Sequence, residues 1–207
     1  MAHTPRTQMI MQTRAKLIAA GREAFGTVGY AEASMDDFTA VAGLTRGALY
    51  HHFGDKRGLL EAVIAEVDAE MCKRLTIVSA RAGSRWQGFV DECTAYIEMA
   101  LEPEIQRIML RDGPAVLGDP SRWPNQNGCI VSMTTTLTRL AEEGVLADVD
   151  PEATARLING ATLHAAQWIA NSEDPEAASR EAVRAFNALL NGLLAKKPGS
   201  ADVPVRS

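Results

Sequence analysis

Residues 42–56 read AGLTRGALYHHFGDK, and this stretch decides the fold of the chain. Thr45 is a good N-cap for a short helix that Gly54 ends, and Gly43 supplies the turn before it. Ser34 is the N-cap of another short helix directly upstream. Two short helices joined by a glycine turn are typical of a helix-turn-helix, in which the second helix reads DNA.

The outer face of that second helix carries groups suited to DNA. Arg46 can bond O6 and N7 of one guanine, while Tyr50 and His51 can reach phosphate oxygens. Gly47 costs roughly 1 kcal/mol relative to alanine inside a helix, so its presence favours close approach of the backbone to DNA. Lys56 begins the next helix, where it forms an anion site with the helix N-terminus. The pattern predicts insertion into the major groove.

Two other interpretations of these residues are open. A helical hairpin with a solvated polar face has a similar pattern, because pairs of short helices are common. His51 and His52 could bind a metal, but neighbouring residues on a helix point about 100° apart and therefore share an ion poorly.

The composition narrows the class of protein. Of 207 residues, 46% are hydrophobic and 23% are charged, which excludes disorder of the whole chain. No stretch approaches the roughly 18 apolar residues of a membrane span, and the N-terminus has no apolar leader segment, so we expect a cytoplasmic protein. Cys72, Cys93 and Cys129 are widely spaced, as expected of reduced thiols. Phosphate-binding glycine loops, nucleophile elbows and HExxH motifs are absent from the sequence, so we expect no enzyme activity, cofactor or metal.

Apolar periodicity predicts an all-α chain with an N-terminal three-helix DNA-binding domain and a larger C-terminal helical domain. We place the first domain at residues 1–55, with a loose arm over the first eleven residues, and the second at residues 56–197, followed by a disordered tail at 198–207. We predict a loop at residues 112–127. The predicted helices are 13–28, 34–42, 45–53, 56–75, 85–101, 104–111, 129–143, 151–170 and 175–196.

Charge is distributed unevenly along the chain. Residues 1–60 carry seven Lys or Arg against five Asp or Glu, although the whole chain has a formal net charge of −5. A mildly basic start on an acidic body favours a polyanion partner at the N-terminal end, although differences of this size also arise by chance.

The sequence resembles the TetR family of bacterial transcriptional regulators. The resemblance covers about residues 13–65, and FGTVGY (25–30), SMDDF (34–38) and residues 42–56 carry it. It implies an all-α homodimer whose smaller domain binds a double-stranded DNA operator and whose larger domain binds a small-molecule effector. Arg57 stands where an acidic residue is frequent, and it adds positive charge. The resemblance places these residues at the DNA: Ser34, Thr45, Arg46, Gly47, Tyr50, His51 and Lys56.

Several side chains of the C-terminal domain are candidates for the effector pocket. His164 and Trp168 share one helix face, which fits a pocket wall and equally fits a core or dimer stripe. The methionines are also typical core residues, and Trp123 either covers a pocket or anchors its loop. The candidate ligand-binding residues are Phe89, Tyr96, Met109, Met133, Leu137, His164 and Trp168.

Two further stripes predict the dimer contact. One lies on the last helix (Val183, Phe186, Leu190 and Leu193) and the other on the helix before it (Leu157, Ala161, His164 and Trp168).

We expect a repressor that an apolar or aromatic effector, neutral or singly charged, releases from a palindromic operator. The alternatives are an activator of the same fold, a regulator that answers to a protein, and a small helical enzyme or carrier of an apolar ligand.

Overall fold

The computed structural model describes residues 6–195, which form an all-helical fold, as predicted. Leu146 and Leu194 form an isolated antiparallel bridge, and no longer strand occurs within this range. The α-helices are α1 (Arg6–Thr27), α2 (Met35–Val41), α3 (Arg46–Phe53), α4 (Lys56–Ala80), α5 (Arg85–Glu98), α6 (Pro103–Ile105), α7 (Gly113–Leu117), α8 (Pro124–Glu142), α9 (Pro151–Ala170) and α10 (Pro175–Asn191).

The first helix begins earlier than the sequence pattern predicted. Residues 6–11, which we expected in a loose arm, belong to α1 and are exposed. Methionine, glutamine and arginine are good helix formers, so the helix continues there without an apolar period. Residues 1–5 of the predicted arm and the predicted tail at 198–207 lie outside the described residues.

Helices α1, α2 and α3 pack around Phe25. The Phe25 and Phe38 rings meet edge to face with centroids 6.1 Å apart, and Leu49 of α3 is fully buried beside them. Gly43 has a φ of 65°, a left-handed conformation that glycine adopts without a Cβ clash, and it turns the chain from α2 into α3. The inner face of α2 is centred between Phe38 and Thr39, and Val41 is therefore turned outward and is 75% exposed.

Helix α4 joins this three-helix head to the rest of the chain. The Asp55 carboxylate caps it by accepting a hydrogen bond of 2.7 Å from the Gly58 N–H. Its apolar side is buried from Leu59 to Leu75, and the helix runs five residues beyond the predicted end. Gly21 of α1 lets the two helices approach closely, because a Cβ on Gly21 would lie 2.8 Å from Leu59 Cδ2.

The remaining helices follow the predicted order, but several boundaries differ. Helix α9 has the predicted ends, whereas α5 passes into a 3₁₀ turn at Met99–Leu101 and α10 ends at Asn191. The predicted loop at 112–127 is largely helical. It contains α7, a 3₁₀ turn at Pro120–Arg122 and the start of α8, because its prolines occupy first helical turns, where a missing N–H costs nothing.

A π-helical segment, Gln106–Asp112, connects α6 to α7 within the predicted helix 104–111. It buries Ile108, Met109 and Leu110. Wide helical turns of this kind are rare and occur frequently at functional sites. None of the helices within residues 6–195 is long and apolar enough to cross a membrane.

Candidate DNA-binding face and candidate ligand cavity

The outer face of α3 brings together four of the predicted DNA-binding residues. Arg46, Gly47, Tyr50 and His51 are exposed, whereas Leu49 points into the core of the head. Their spacing of one, four and five residues places them on one side of the helix. We call this side the α3 outer face.

Two further predicted residues, Ser34 and Thr45, cap helices. The Thr45 hydroxyl accepts a hydrogen bond of 3.3 Å from the Ala48 N–H, and the Ser34 hydroxyl accepts one of 3.5 Å from the Asp37 N–H. Caps of this kind each stabilise a helix by about 1 kcal/mol. Both residues therefore fix the N-termini of α2 and α3, and Thr45 is also exposed beside the α3 outer face.

Arg46 does not extend freely into solvent. Its guanidinium forms an ion pair and a hydrogen bond with the carboxylate of Asp36, in the first turn of α2, and both side chains are more than half exposed. Sequence reasoning missed this pair, because the two residues lie on different helices. An exposed ion pair contributes little stability, so Arg46 can exchange Asp36 for another acceptor at small cost.

Lys56 is held against the connection between α1 and α2. Its Nζ donates to the Ala31 carbonyl at 3.3 Å and lies 4.5 Å from the centre of the Tyr30 ring. Burial lowers the pKa of Lys56 below its ordinary value. Arg57 was expected to add charge at the DNA, but its Nη1 donates to the Val116 carbonyl at 3.1 Å, so its side chain turns towards the body of the protein.

The surroundings of Gly47 show whether the packing of the fold requires a glycine at this position. A Cβ built there has one neighbour within 4 Å, Thr45 Oγ1 at 3.6 Å, which is ordinary contact. The fold thus has room for a side chain at this position. The glycine is not required by packing among the described residues, and the close approach of DNA to its backbone stays a prediction.

A cavity of about 180 Å³ lies between α4, α5, α8 and α9. We call it the main cavity. Of the predicted ligand-binding residues, it brings together Tyr96 and Met133. Met109 lines a neighbouring cavity of about 20 Å³, and Tyr96 lines this one too. The main cavity is lined by Asp68, Met71, Cys72, Leu75, Thr76, Glu92, Cys93, Tyr96, Gln126, Gly128, Cys129, Ser132, Met133, Asn159 and Thr162.

The lining of the main cavity includes carboxylates that sequence reasoning missed. Asp68 and Glu92 both face it, and its described lining contains no lysine or arginine. Burial raises the pKa of Glu92 above its ordinary value and raises that of Tyr96 as well. Asp68 could have been found from the sequence, because it interrupts the buried side of α4 between Val67 and Met71.

The other four predicted ligand-binding residues lie elsewhere. Phe89 and Leu137 are buried in the apolar core, and Phe89 also borders a surface groove. His164 and Trp168 are exposed on α9, with 49% of Trp168 accessible, and neither is among the residues that line the main cavity or the smaller one. Their spacing predicted a shared face but could not say which one, and it is Thr162 and Ala166 that turn towards the cavities.

Trp123 combines burial with an unused hydrogen-bond donor. Its ring lines both the smaller cavity and a surface groove along α4. The indole Nε1 is buried and has no hydrogen-bond partner among the described residues. An unpaired buried N–H costs about 1–3 kcal/mol, so an acceptor at this position would be stabilising.

The cavity region is tied to the head through α6 and the π segment. Met109 and Leu110 line the smaller cavity, while Arg107 donates to the Thr27 carbonyl and Asp112 accepts a hydrogen bond of 2.7 Å from the Tyr30 N–H. Arg22 of α1 also pairs with Glu104 of α6, with Nε and Oε1 2.7 Å apart. The pKa of Glu104 is held below its ordinary value by this guanidinium.

Apolar side chains remain exposed on the outward sides of α9 and α10. Leu157 is 76% exposed and Leu189 is 69% exposed. A Cβ on Gly160 would have no neighbour within 4 Å among the described residues. We call this surface the α9–α10 outer face, and it includes Trp168. It contains the predicted stripe of α9.

The stripe predicted on α10 is turned towards the core of the same chain. Phe186 is only 5% exposed and Leu190 is fully buried, and both pack in the core of the same chain together with the partly buried Val183 and Leu193. Our assignment of Phe186 and Leu190 to a dimer contact is therefore wrong, and that of the partly buried Val183 and Leu193 stays a prediction. An amphipathic helix has one apolar stripe, and on α10 this stripe packs in the core of the same chain.

A helix-turn-helix with a polar recognition helix, joined to an α-helical body, defines the class of helix-turn-helix DNA-binding regulators. Two family models match the chain. "Bacterial regulatory proteins, tetR family" covers residues 17–63, and "Tetracyclin repressor-like, C-terminal domain" covers residues 86–193. The chain therefore belongs to the TetR family of transcriptional regulators, as its sequence predicted.

Individual relatives agree with this assignment. The crystal structure of a TetR-family transcriptional regulator from Pectobacterium atrosepticum is 52% identical, with a TM-score of 0.86, over 93% of this chain and 99% of that one. The regulator BetI of Ectopseudomonas mendocina is 37% identical over 39% of this chain and 38% of its own length. The A-factor receptor protein of Streptomyces griseus is 26% identical over 72% of this chain and 51% of its own length. The matches thus span only about two fifths of BetI and half of the receptor.

Proposed function

We propose that this protein is a transcriptional repressor that binds a palindromic operator as a homodimer and leaves it when a small organic effector occupies the main cavity. The observation that carries the proposal is the double role of the π segment. Met109 and Leu110 of the segment line the smaller cavity, which shares Tyr96 with the main cavity. Arg107 and Asp112 of the same segment bond to the backbone of the three-helix head.

DNA recognition is assigned to the α3 outer face. Arg46 would leave Asp36 for a guanine edge, and Tyr50 and His51 would contact phosphates. Gly47 would let the backbone approach the duplex, and Lys56 would neutralise a phosphate beside the N-terminus of α4. Each subunit would read one half of the site.

Dimerisation is assigned to the α9–α10 outer face. Leu157, Trp168 and Leu189 are large apolar side chains left exposed by the single chain, and Gly160 allows close approach of a second helix. A contact between two copies of this face has two-fold symmetry, which matches the symmetry of a palindromic site.

The cavity lining indicates the chemistry of the effector. Methionine, leucine and tyrosine side chains suit an apolar or aromatic ring, and the volume is comparable to cavities that hold one benzene ring. Asp68 and Glu92 would repel an anion, so the effector is neutral or carries one positive charge. One of the relatives is named as a receptor, the A-factor receptor protein, which favours an effector for this chain as well.

The coupling between cavity and DNA follows from the contacts of the π segment. Tyr96 lines both cavities, so an effector in the main cavity that displaces Tyr96 would press on Met109 and Leu110 in the smaller cavity and move the segment that bonds to Thr27 and Tyr30. Because Lys56 packs on Tyr30, the same shift reaches the start of α4 and with it α3. The effector changes DNA affinity only by its preference for one of the two arrangements.

DNA binding can be tested with duplex fragments that flank the gene for this chain. We expect footprints with two-fold symmetry, and an affinity that falls with salt by about 0.9 logarithmic units per phosphate contacted. A scrambled duplex of equal length is the control. Salt-independent or undetectable binding to every fragment would contradict the proposal.

The effector class can be tested with matched probes. Benzylamine and benzoate have similar size and opposite charge. We expect benzylamine to raise the thermal midpoint of the protein more than benzoate does, and Glu92→Gln to reduce the difference. A stronger effect of benzoate would overturn the assignment of a neutral or cationic effector.

A further inference from the structure

All three cysteines of the chain line the main cavity. Cys72 lies in the middle of α4, Cys93 on α5 and Cys129 near the start of α8. Cys72 is exposed and Cys129 is partly buried, whereas Cys93 is 1% exposed. Thiols from three different helices therefore meet one small space that is open to solvent at Cys72.

Two of these thiols are near enough to influence each other. Cys72 and Cys129 both line the main cavity, each shifts the pKa of the other, and Cys72 Sγ lies 3.9 Å from Asp68 Oδ2. The proximity of the two thiols lowers the pKa of Cys72 and raises that of Cys129. Burial raises the pKa of Cys93 to about 12. Cys72 is the solvent-exposed thiol that a reagent reaches first, Cys129 is the partly buried thiol on the same cavity, and Cys93 is shielded by burial.

We propose that Cys72 and Cys129 are a modification site, at which a hydroperoxide forms a reversible disulfide that joins α4 to α8. Neither the helix-turn-helix nor the assignment to the family requires a thiol pair at this place. The arrangement is specific because the two residues come from helices that are distant in sequence and converge on one cavity.

The hydroperoxide is the oxidant in this reaction, and it is consumed as the disulfide forms. The Cys72 thiolate attacks the terminal oxygen of the hydroperoxide, its O–O bond breaks, and an alcohol or water leaves with the proton of the Cys72 thiol. Cys72 is then a sulfenic acid. The Cys129 sulfur attacks it, a sulfur–sulfur bond forms, and the hydroxyl leaves as water with the Cys129 proton. Two thiols are oxidised and one peroxide is reduced.

The disulfide would restrain the helix that carries the DNA-binding head. A covalent sulfur–sulfur bond is about 2.05 Å long, so bond formation draws Cys72 of α4 towards α8 and narrows the main cavity. Helix α4 begins at Lys56, directly after α3. The expected effect of the disulfide on DNA binding rests on the proposed function, whereas the formation of the disulfide does not.

The bond can be tested on the full-length protein with hydrogen peroxide as the probe. We expect loss of two hydrogen atoms from the intact monomer mass, a fall from three titratable thiols to one, and a Cys72–Cys129 cross-linked peptide. Dithiothreitol restores the mass. Cys72→Ser and Cys129→Ser each abolish the cross-link, whereas the matched variant Cys93→Ala retains it. A cross-link through Cys93, a bond between subunits, or sulfinic acid without any disulfide would overturn the proposal.

The restraint is measured separately by hydrogen exchange and DNA binding. We expect slower amide exchange in α4 of the oxidised protein than of the reduced protein, with no change in oxidised Cys72→Ser. Unchanged exchange despite a complete disulfide would refute the restraint. Operator affinity of the two forms then tests its regulatory consequence. If neither form binds any duplex, the proposed function fails while the modification site stands on its mass and exchange data.

Discussion

The α3 outer face and the main cavity are built in opposite ways. The α3 outer face comes from one short helix, and Arg46, Gly47, Tyr50 and His51 are neighbours in sequence. The main cavity is lined by residues of four helices, and these residues lie between positions 68 and 162 of the sequence. The first depends on local chain geometry and the second on packing between distant segments, so a sequence pattern can locate the first far better than the second.

The two regions also differ in charge and exposure. The α3 outer face carries a guanidinium in an exposed ion pair with Asp36, whereas the cavity encloses two carboxylates, Asp68 and Glu92, among apolar side chains. Mutations on the α3 outer face are therefore expected to alter binding with little effect on folding. Mutations around the cavity and its supporting core are expected to alter folding first.

The largest effect is expected in the core that supports the cavity. Phe186→Ala should lower the free energy of unfolding by about 3–5 kcal/mol, because it removes a buried aromatic ring. Leu189→Ala, on the exposed side of the same helix, should change it by less than about 0.5 kcal/mol in the monomer and weaken the dimer. Urea unfolding and analytical ultracentrifugation measure the two quantities. Equal destabilisation by both variants would mean that the two sides of α10 are not distinct.

A smaller effect, confined to DNA, is expected from Arg46→Ala. The variant should lose about 1–3 kcal/mol of operator affinity, since it loses a bidentate base contact. Its thermal midpoint and its response to benzylamine should match those of the parent protein. Fluorescence anisotropy on the operator and on a random duplex gives the comparison. A loss that is equal on both duplexes would assign Arg46 to a phosphate instead of a base.

Gly47→Ala is expected to change operator affinity without lowering the stability of the fold. The fold has room for the methyl group, so stability should be unchanged or increase by less than about 1 kcal/mol, as expected for alanine in a helix. Operator affinity should fall, because the methyl group would stand between the backbone and the duplex. Thermal unfolding and anisotropy titrations on the same sample test this. Unchanged operator affinity would remove the explanation we give for this glycine.

The smallest change in the free energy of unfolding is expected from Glu92→Gln, and its size depends on pH. Burial raises the folded-state pKa of Glu92 above its ordinary value of 4.5. The folded protein therefore binds more protons than the unfolded chain between these two values, and stability falls as pH rises through that interval. Glutamine cannot ionise, so the variant should lose this part of the decline. Urea unfolding from about pH 4 to about pH 8 measures it, and parallel curves for variant and parent would contradict the burial of this charge.

The sequence predicted the head almost completely, because caps and turns act over a few residues. Ser34, Gly43 and Thr45 mark helix ends wherever the rest of the chain lies. The cavity was predicted only in part. Tyr96 and Met133 face it, but the i, i+4 pair His164 and Trp168 shares a face without specifying which partner that face meets. That choice depends on how α9 packs against other helices, which no local pattern encodes.

The pairing of Arg46 with Asp36 has a consequence for the regulator in a cell full of chromosomal DNA. Random sequence outnumbers an operator by many orders of magnitude, and a bare guanidinium would be attracted to all of it. With Asp36 beside it, Arg46 gains little at a phosphate, because one acceptor simply replaces another. A correctly placed guanine offers two acceptors at once and a geometry that the carboxylate does not provide. If Arg46 binds DNA as proposed, the carboxylate of Asp36 would compete with a phosphate more than with a guanine, by the small margin that an exposed ion pair supplies.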